Sequence, residues 1–201
     1  MKSVILASHN VGKLHEFQKL ASDFPFTLHM PPDDLPDVDE TASTFVENAL
    51  LKARSAALHT GLPALADDSG LVVPYLQGAP GIYSSRYSGP DANAQKNIQK
   101  LLAELRDVPP EQRTAFFYCC LVLVKQADDP IPIIAEGFWH GTILTEARGT
   151  KGFGYDPVFY IADKNSSAGE LEPDVKDRMS HRAFAVKELM NKISYSFSTL
   201  P

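Results

Sequence analysis

The sequence predicts an α/β domain with a mixed β-sheet and helices on its faces. Three observations predict it. Short apolar runs suited to strands alternate with stretches whose apolar residues recur every three or four positions. Two long strand-like runs, residues 114–125 and 131–139, flank Asp128-Asp129-Pro130, whose turn chemistry reads as a hairpin. Finally, 44% apolar and 22% charged residues in a chain of 201 suit one soluble domain with a real core.

Residues 4–7 read as a short buried strand entering the polar loop Ser8-His9-Asn10-Val11-Gly12-Lys13, and Leu14, Phe17, Leu20 and Ala21 are spaced for a helix after it. Such a loop presents backbone N–H groups and a positive dipole end to an anion, and Lys13 adds a full charge. It lacks the Walker glycine spacing, so the phosphate-loop signal is weak by itself against a plain capped helix start with a solvated lysine. Residues 24–36 read as a proline-rich connection passing into an acidic tract that ends at Glu40. Thr44 followed by Glu47 fits a capping box, and Phe45, Ala49, Ala53 and Ala56 share one helical face, with Asn48, Lys52 and Ser55 on the other. Glu40 either suits the dipole of this helix or reaches a cation.

The stretch Ala66-Asp67-Asp68-Ser69-Gly70-Leu71 places two carboxylates, a hydroxyl and a glycine after an apolar run, at an expected strand end. Neighbouring side chains on a strand point to opposite faces, so Asp67 and Asp68 take different jobs unless the backbone turns, which Gly70 permits. The choice is between a metal-holding site and an ordinary acidic turn. Residues 71–76 read as an edge strand or hairpin because of Pro74, and residues 78–89 as a long loop carrying Tyr83 and Arg86. Residues 91–105 read as an amphipathic scaffold helix with Ile98, Leu101, Leu102 and Leu105 inward. Residues 148–159 crowd glycines, aromatics, cations and Asp156 together, suiting either a base-binding segment or a glycine-rich hairpin. Ser180 reads as the cap of a last helix whose first turn carries His181 and Arg182, an unfavourable place for an arginine.

A formal net charge of −6 argues against non-specific binding of nucleic acid or of a membrane surface, and any anionic ligand needs local cations. Cys119 and Cys120, the only cysteines, sit in an apolar run and read as buried free thiols, in keeping with a reducing cytoplasm. The N-terminal apolar run is too short for a signal peptide and no stretch approaches a membrane span, so a soluble cytoplasmic protein is expected.

Six blocks in register carry a resemblance: Ser8-His9-Asn10-x-x-Lys13-x-x-Glu16, Thr44-Phe45-x-Glu47-Asn48-Ala49-x-x-Lys52-Ala53, Ala66-Asp67-Asp68-Ser69-Gly70-Leu71, Gly78-Ala79-Pro80-Gly81-x-Tyr83-Ser84-x-Arg86, Gly152-Phe153-Gly154-Tyr155-Asp156-Pro157 and Ser180-His181-Arg182. Together they resemble the inosine/xanthosine triphosphate pyrophosphatase family, most of all its bacterial members acting on non-canonical purine nucleotides. The resemblance implies a single two-lobed domain over residues 1–201, an elongated mixed sheet flanked by helices, and an active site in the cleft between lobes. It implies hydrolysis of ITP, dITP and XTP to monophosphate and pyrophosphate with Mg²⁺, in a homodimer. It further implies that Ser8, His9, Asn10, Val11, Gly12 and Lys13 bind phosphate with Lys52, that Asp68 is the catalytic carboxylate and a metal ligand, and that Glu40 is the other metal ligand. Asp67 becomes an additional acid, Ser69 a substrate contact, Phe153, Gly154, Tyr155 and Asp156 the base-binding segment, and Lys176, His181 and Arg182 residues closing over the nucleotide. Ala183 stands where a glycine is common, and Val175 where an acid is. The competing expectations are a related pyrophosphatase acting on pyrimidine or modified nucleotides, a magnesium-dependent phosphomonoesterase, and a nucleotide sensor without turnover.

Overall fold

The computed structural model describes residues 2–9, 11–22 and 24–197. Seven strands form one mixed sheet in the order β2-β1-β3-β4-β5-β6-β7. Strand β1 (Lys2–Leu6) pairs in parallel with both β2 (Phe26–His29) and β3 (Ala64–Val72), while β6 (Phe159–Ile161) pairs antiparallel with β5 (Ile133–Ile143) and with β7 (Ser166–Ser167). The remaining long strand is β4 (Thr114–Val124). The turn between β4 and β5 is held as its chemistry predicts: buried Asp129 accepts from the backbone N–H groups of Lys125 at 2.9 Å and Ile131 at 3.0 Å.

Five α-helices accompany the sheet among the described residues: α1 (Val11–Leu20), α2 (Phe45–Thr60), α3 (Ala94–Glu104), α4 (Pro173–Met179) and α5 (His181–Phe197). The capping reading of α2 holds: the Thr44 side chain accepts from the Glu47 N–H, and Gly61 ends the helix at φ 68°, a left-handed conformation that favours glycine. Asn93 caps α3 in the same way, accepting from the Lys96 N–H at 2.9 Å.

Three expectations need correction. Residues 24–36 are not only a connection, since β2 lies within them; Phe26 and Leu28 are buried and Thr27 and His29 exposed, an alternation too short to stand out beside the prolines. Asp67 and Asp68 are not at a strand tip. Strand β3 runs straight through them to Val72, Gly70 makes no turn there, and residues 74–76 form a 3-10 turn rather than an edge strand. The approach to Ser180 contains α4, which starts with Pro173 at its first position, where a missing N–H costs nothing.

The chain divides into two compact units: residues 1–68, 119–137 and 182–201 form the first, and residues 69–118 and 138–181 the second. The first unit's core gathers Val4, Leu6, Phe17, Leu65, Leu121, Leu189 and Ile193, nearly all without exposed surface. The second unit's core gathers Leu71, Leu101, Leu105, Phe117, Trp139 and Phe159; the Phe159 ring lies 4.6 Å from that of Phe117 and 5.2 Å from that of Trp139. Both cysteines are buried free thiols, as expected. No helix among the described residues is long and apolar enough to cross a membrane.

Candidate active site

In the first unit, four elements, α1, α2, β3 and α5, bring charges together. Residue 52 lies on α2, one turn beyond Asn48, and its ammonium is clasped by two carboxylates: Glu40 Oε1 at 2.7 Å and Asp68 Oδ1 at 3.1 Å. Asn48, fully buried, donates to Asp68 Oδ2 at 3.5 Å and accepts from the Ala42 N–H at 3.0 Å, so α2 fixes both the carboxylate and the segment leading from Glu40. The neighbouring Asp67 takes different partners, as alternation along β3 requires. Lys13, in the first turn of α1, reaches Asp67 Oδ1 at 2.8 Å, and buried Arg182, in the first turn of α5, places Nε 3.8 Å from Asp67 Oδ2. Glu16, one turn beyond Lys13, receives Arg182 Nη1 at 3.3 Å. A cavity of about 230 Å³ is lined by Ser8, His9, Lys13, Glu40, Lys52 and Asp67 among others. His9 also hydrogen-bonds the Leu35 carbonyl at 3.1 Å, tying the loop to another lining segment of the cavity.

The second unit holds a separate group. Asp156 is buried and accepts from the Phe153 N–H at 2.8 Å and from the Lys176 ammonium. The Lys176 ammonium in turn lies 4.5 Å from the centre of the Phe153 ring, which is 59% exposed. Gly152 adopts φ 77°, and a side chain there would overlap the Asp156 carboxylate, so this turn requires glycine twice over. Tyr155 is buried and donates its hydroxyl to the Ser84 carbonyl at 2.9 Å, and the His181 ring is stacked on Phe117 at 5.0 Å. Ser69 is half-buried on β3, beside Asp68 in sequence.

The Ham1 family model matches residues 4–192. The chain belongs to the Ham1 family. It is 51% identical over 195 residues to a dITP/XTP pyrophosphatase of Vibrio parahaemolyticus, covering 96% of this chain and 98% of the relative. It is 50% identical over 194 residues to the dITP/XTP pyrophosphatase of Escherichia coli strain K12, with 96% and 98% covered. Among solved structures it matches a HAM1 protein from Coxiella burnetii (TM-score 0.91, 45% identity, 97% of this chain and 100% of that one) and the Ham1 protein of Staphylococcus aureus (TM-score 0.87, 36% identity, 97% and 100%).

The electrostatics of this Ham1 family member separate its two adjacent aspartates. For Asp67, burial works against ionisation, but Lys13, Arg182 and Lys52 outweigh it and hold the carboxyl well below the usual range. For Asp68 burial prevails over the attraction of Lys52, with Glu40 and Asp67 adding repulsion, and its pKa is raised. Lys52 is partly buried, which favours the neutral amine, yet Asp67, Asp68 and Glu40 overcome that and strengthen its charge. Asp67 is thus an anchor ionised at neutral pH, and Asp68 the more basic carboxylate. Of the residues expected from sequence, Ser8, His9, Lys13, Glu40, Lys52, Asp68 and Arg182 belong to the first unit's arrangement, and Phe153, Asp156 and Lys176 meet in the second. Gly154 lies on the same turn, at φ 60°; Val11 and Gly12 open α1, and Asn10 lies outside the described residues. Glu16 and Asn48 were part of the quoted blocks without a role; their burial-dependent partners come from other elements and left no local signal.

Proposed function

We propose that this chain hydrolyses non-canonical purine nucleoside triphosphates, dITP, ITP and XTP, to the monophosphate and pyrophosphate, clearing them from the nucleotide pool of the cytoplasm. The observation that carries the reading is the Lys52 ammonium held between Glu40 and Asp68, beside Lys13 on Asp67 at the wall of one cavity. Phosphoryl transfer depends on charge neutralisation and positioning more than on covalent help, and this arrangement supplies both. Lys13 and Lys52 exchange carboxylate oxygens for polyphosphate oxygens when substrate arrives. Asp68, with its raised affinity for a proton, orients a water and takes its proton for in-line attack on the α-phosphorus. Pyrophosphate leaves with its charge offset by the two ammoniums.

A hard divalent cation fits the donor set. Glu40 and Asp68 present oxygens to one ammonium, so they can serve one Mg²⁺, which needs only one or two carboxylates beside phosphate oxygens and water. Glu40 and Asp68 would hold it, and when bound it would supply further neutralisation of phosphate charge. In the second unit, the exposed Phe153 face is assigned to stacking on the purine. Asp156, by accepting from the Phe153 N–H, fixes the turn that carries the ring, and by holding Lys176 it fixes an ammonium donor for the 6-oxo acceptor that hypoxanthine and xanthine carry and adenine lacks. Ser69, His181 and Arg182 complete the proposed substrate contacts, and a homodimer is the proposed assembly, checked by light scattering.

The test is incubation with ITP, dITP, XTP, GTP, ATP and dTTP plus Mg²⁺, following monophosphate and pyrophosphate. The expected result is pyrophosphate release with discrimination against ATP that can reach about 10⁴-fold, because a mismatched base leaves buried polar groups unpaired. Release of orthophosphate, preference for a pyrimidine, or binding without product would overturn the reading.

A further inference from the structure

The second unit carries another depression, of about 400 Å³, lined by Gln99, Leu102, Ala103, Arg106, Arg113 and Thr145. Arg113 is its buried member, only 3% exposed, and three of its five donors are committed: Nε to the Ile143 carbonyl at 2.7 Å, Nη1 to that of Leu105 and Nη2 to that of Leu144, both at 2.5 Å. These bonds tie the end of α3 to the end of β5 and explain why an arginine stands there. They leave two donors without an acceptor, and among the described residues no carboxylate pairs with this guanidinium. Burial alone acts on its charge, pulling the pKa down with nothing opposing it. A buried charge normally finds an opposite one, since carbonyl dipoles return only part of the lost hydration. The side chains of Arg106, Gln99 and Thr145, all exposed, likewise have no hydrogen-bond or ion-pair partner among the described residues. In a chain of net charge −6, two arginines without carboxylates around one depression stand apart.

We propose that this depression binds a small phosphate-bearing anion, either inorganic phosphate or the phosphate group of a nucleotide, at a site composed wholly of second-unit residues. The Arg106 guanidinium offers the paired, planar donors that suit tetrahedral oxyanions, Arg113 adds an uncompensated positive charge and its remaining N–H groups, and Gln99 and Thr145 add neutral donors at the rim. The site does not depend on the pyrophosphatase reading, because its readout is binding.

The experiment uses the full ¹⁵N-labelled chain, titrated in one arm with inorganic phosphate and in the other with a nucleoside monophosphate, following the amides of Gln99, Ala103, Arg106 and Thr145. Saturable shifts in either arm support the site, and the arm saturating at lower concentration identifies the source. Arg106→Gln is expected to weaken that binding about tenfold, the effect of one charge-assisted hydrogen bond, while leaving pyrophosphate release intact. Arg113→Lys, which keeps the charge but loses the fork, is expected to weaken it as well. Absence of saturable shifts at these amides in both arms, or unchanged affinity in Arg106→Gln, overturns the proposal.

Discussion

Asp67 and Asp68 differ by one position and by almost everything else. Asp67 has no exposed surface to speak of and is surrounded by cations, so its ionised form is part of the fold. Its pKa is lower folded than unfolded, and the stability it contributes is therefore complete above the ordinary value of 3.8 and is lost as pH falls through the folded value. Asp67→Asn keeps the shape but leaves Lys13 and buried Arg182 short of a counter-charge. It is expected to cost about 3 kcal/mol at neutral pH, as for a broken buried pair. Urea unfolding of both proteins from pH 7 down into strong acid checks this: the gap between them should narrow only below about pH 3.8. A constant gap would mean that the anchor is steric rather than electrostatic.

At the scale of elements, α2 is the piece that sets the chemistry, because one helix carries both Asn48 and Lys52 to Asp68. Thr44→Ala removes the side chain that accepts from the Glu47 N–H one turn before Asn48. The expected loss is about 1 kcal/mol of stability, with a fall in turnover if the first turn frays and Asn48 loosens its hold on Asp68. Thermal unfolding and steady-state rates on the same preparation separate the two effects. Helix α2 was legible in sequence because the capping box at Thr44 and Glu47 and the alanine periodicity agree. Strand β2 was not, since four residues among prolines carry too little alternation, and the straight course of β3 through Gly70 was hidden because glycine permits a turn without requiring one. The same distinction runs through the site. Lys13, Lys52 and Asp68 could be named from motif blocks and Glu40 from the resemblance those blocks carry, whereas the allocation of Lys13 to Asp67, and the capture of Arg182 by Glu16, join residues up to 166 positions apart and belong to packing alone.

For the whole molecule, the raised pKa of Asp68 means that its ionised form is less welcome in the fold than in water. Catalytic readiness and stability are therefore opposed at this position, and Asp68→Asn separates them. Turnover should fall by about 10²- to 10⁴-fold, the usual contribution of a positioned base, while the substitution itself should leave the thermal midpoint unchanged or higher. Such a variant holds its substrate, which allows binding to be read as stability. With Mg²⁺ and dITP at about 100 times the dissociation constant, mass action adds about 2.7 kcal/mol to the folded state. For a chain of this length that corresponds to a rise of about 5–10 °C in midpoint. ATP at the same concentration should give a much smaller rise, because the purine edge rather than the polyphosphate decides between the two. Equal rises would place all of the affinity in Lys13, Lys52 and the cation, and would deny the Phe153–Asp156–Lys176 group any part in choosing the base.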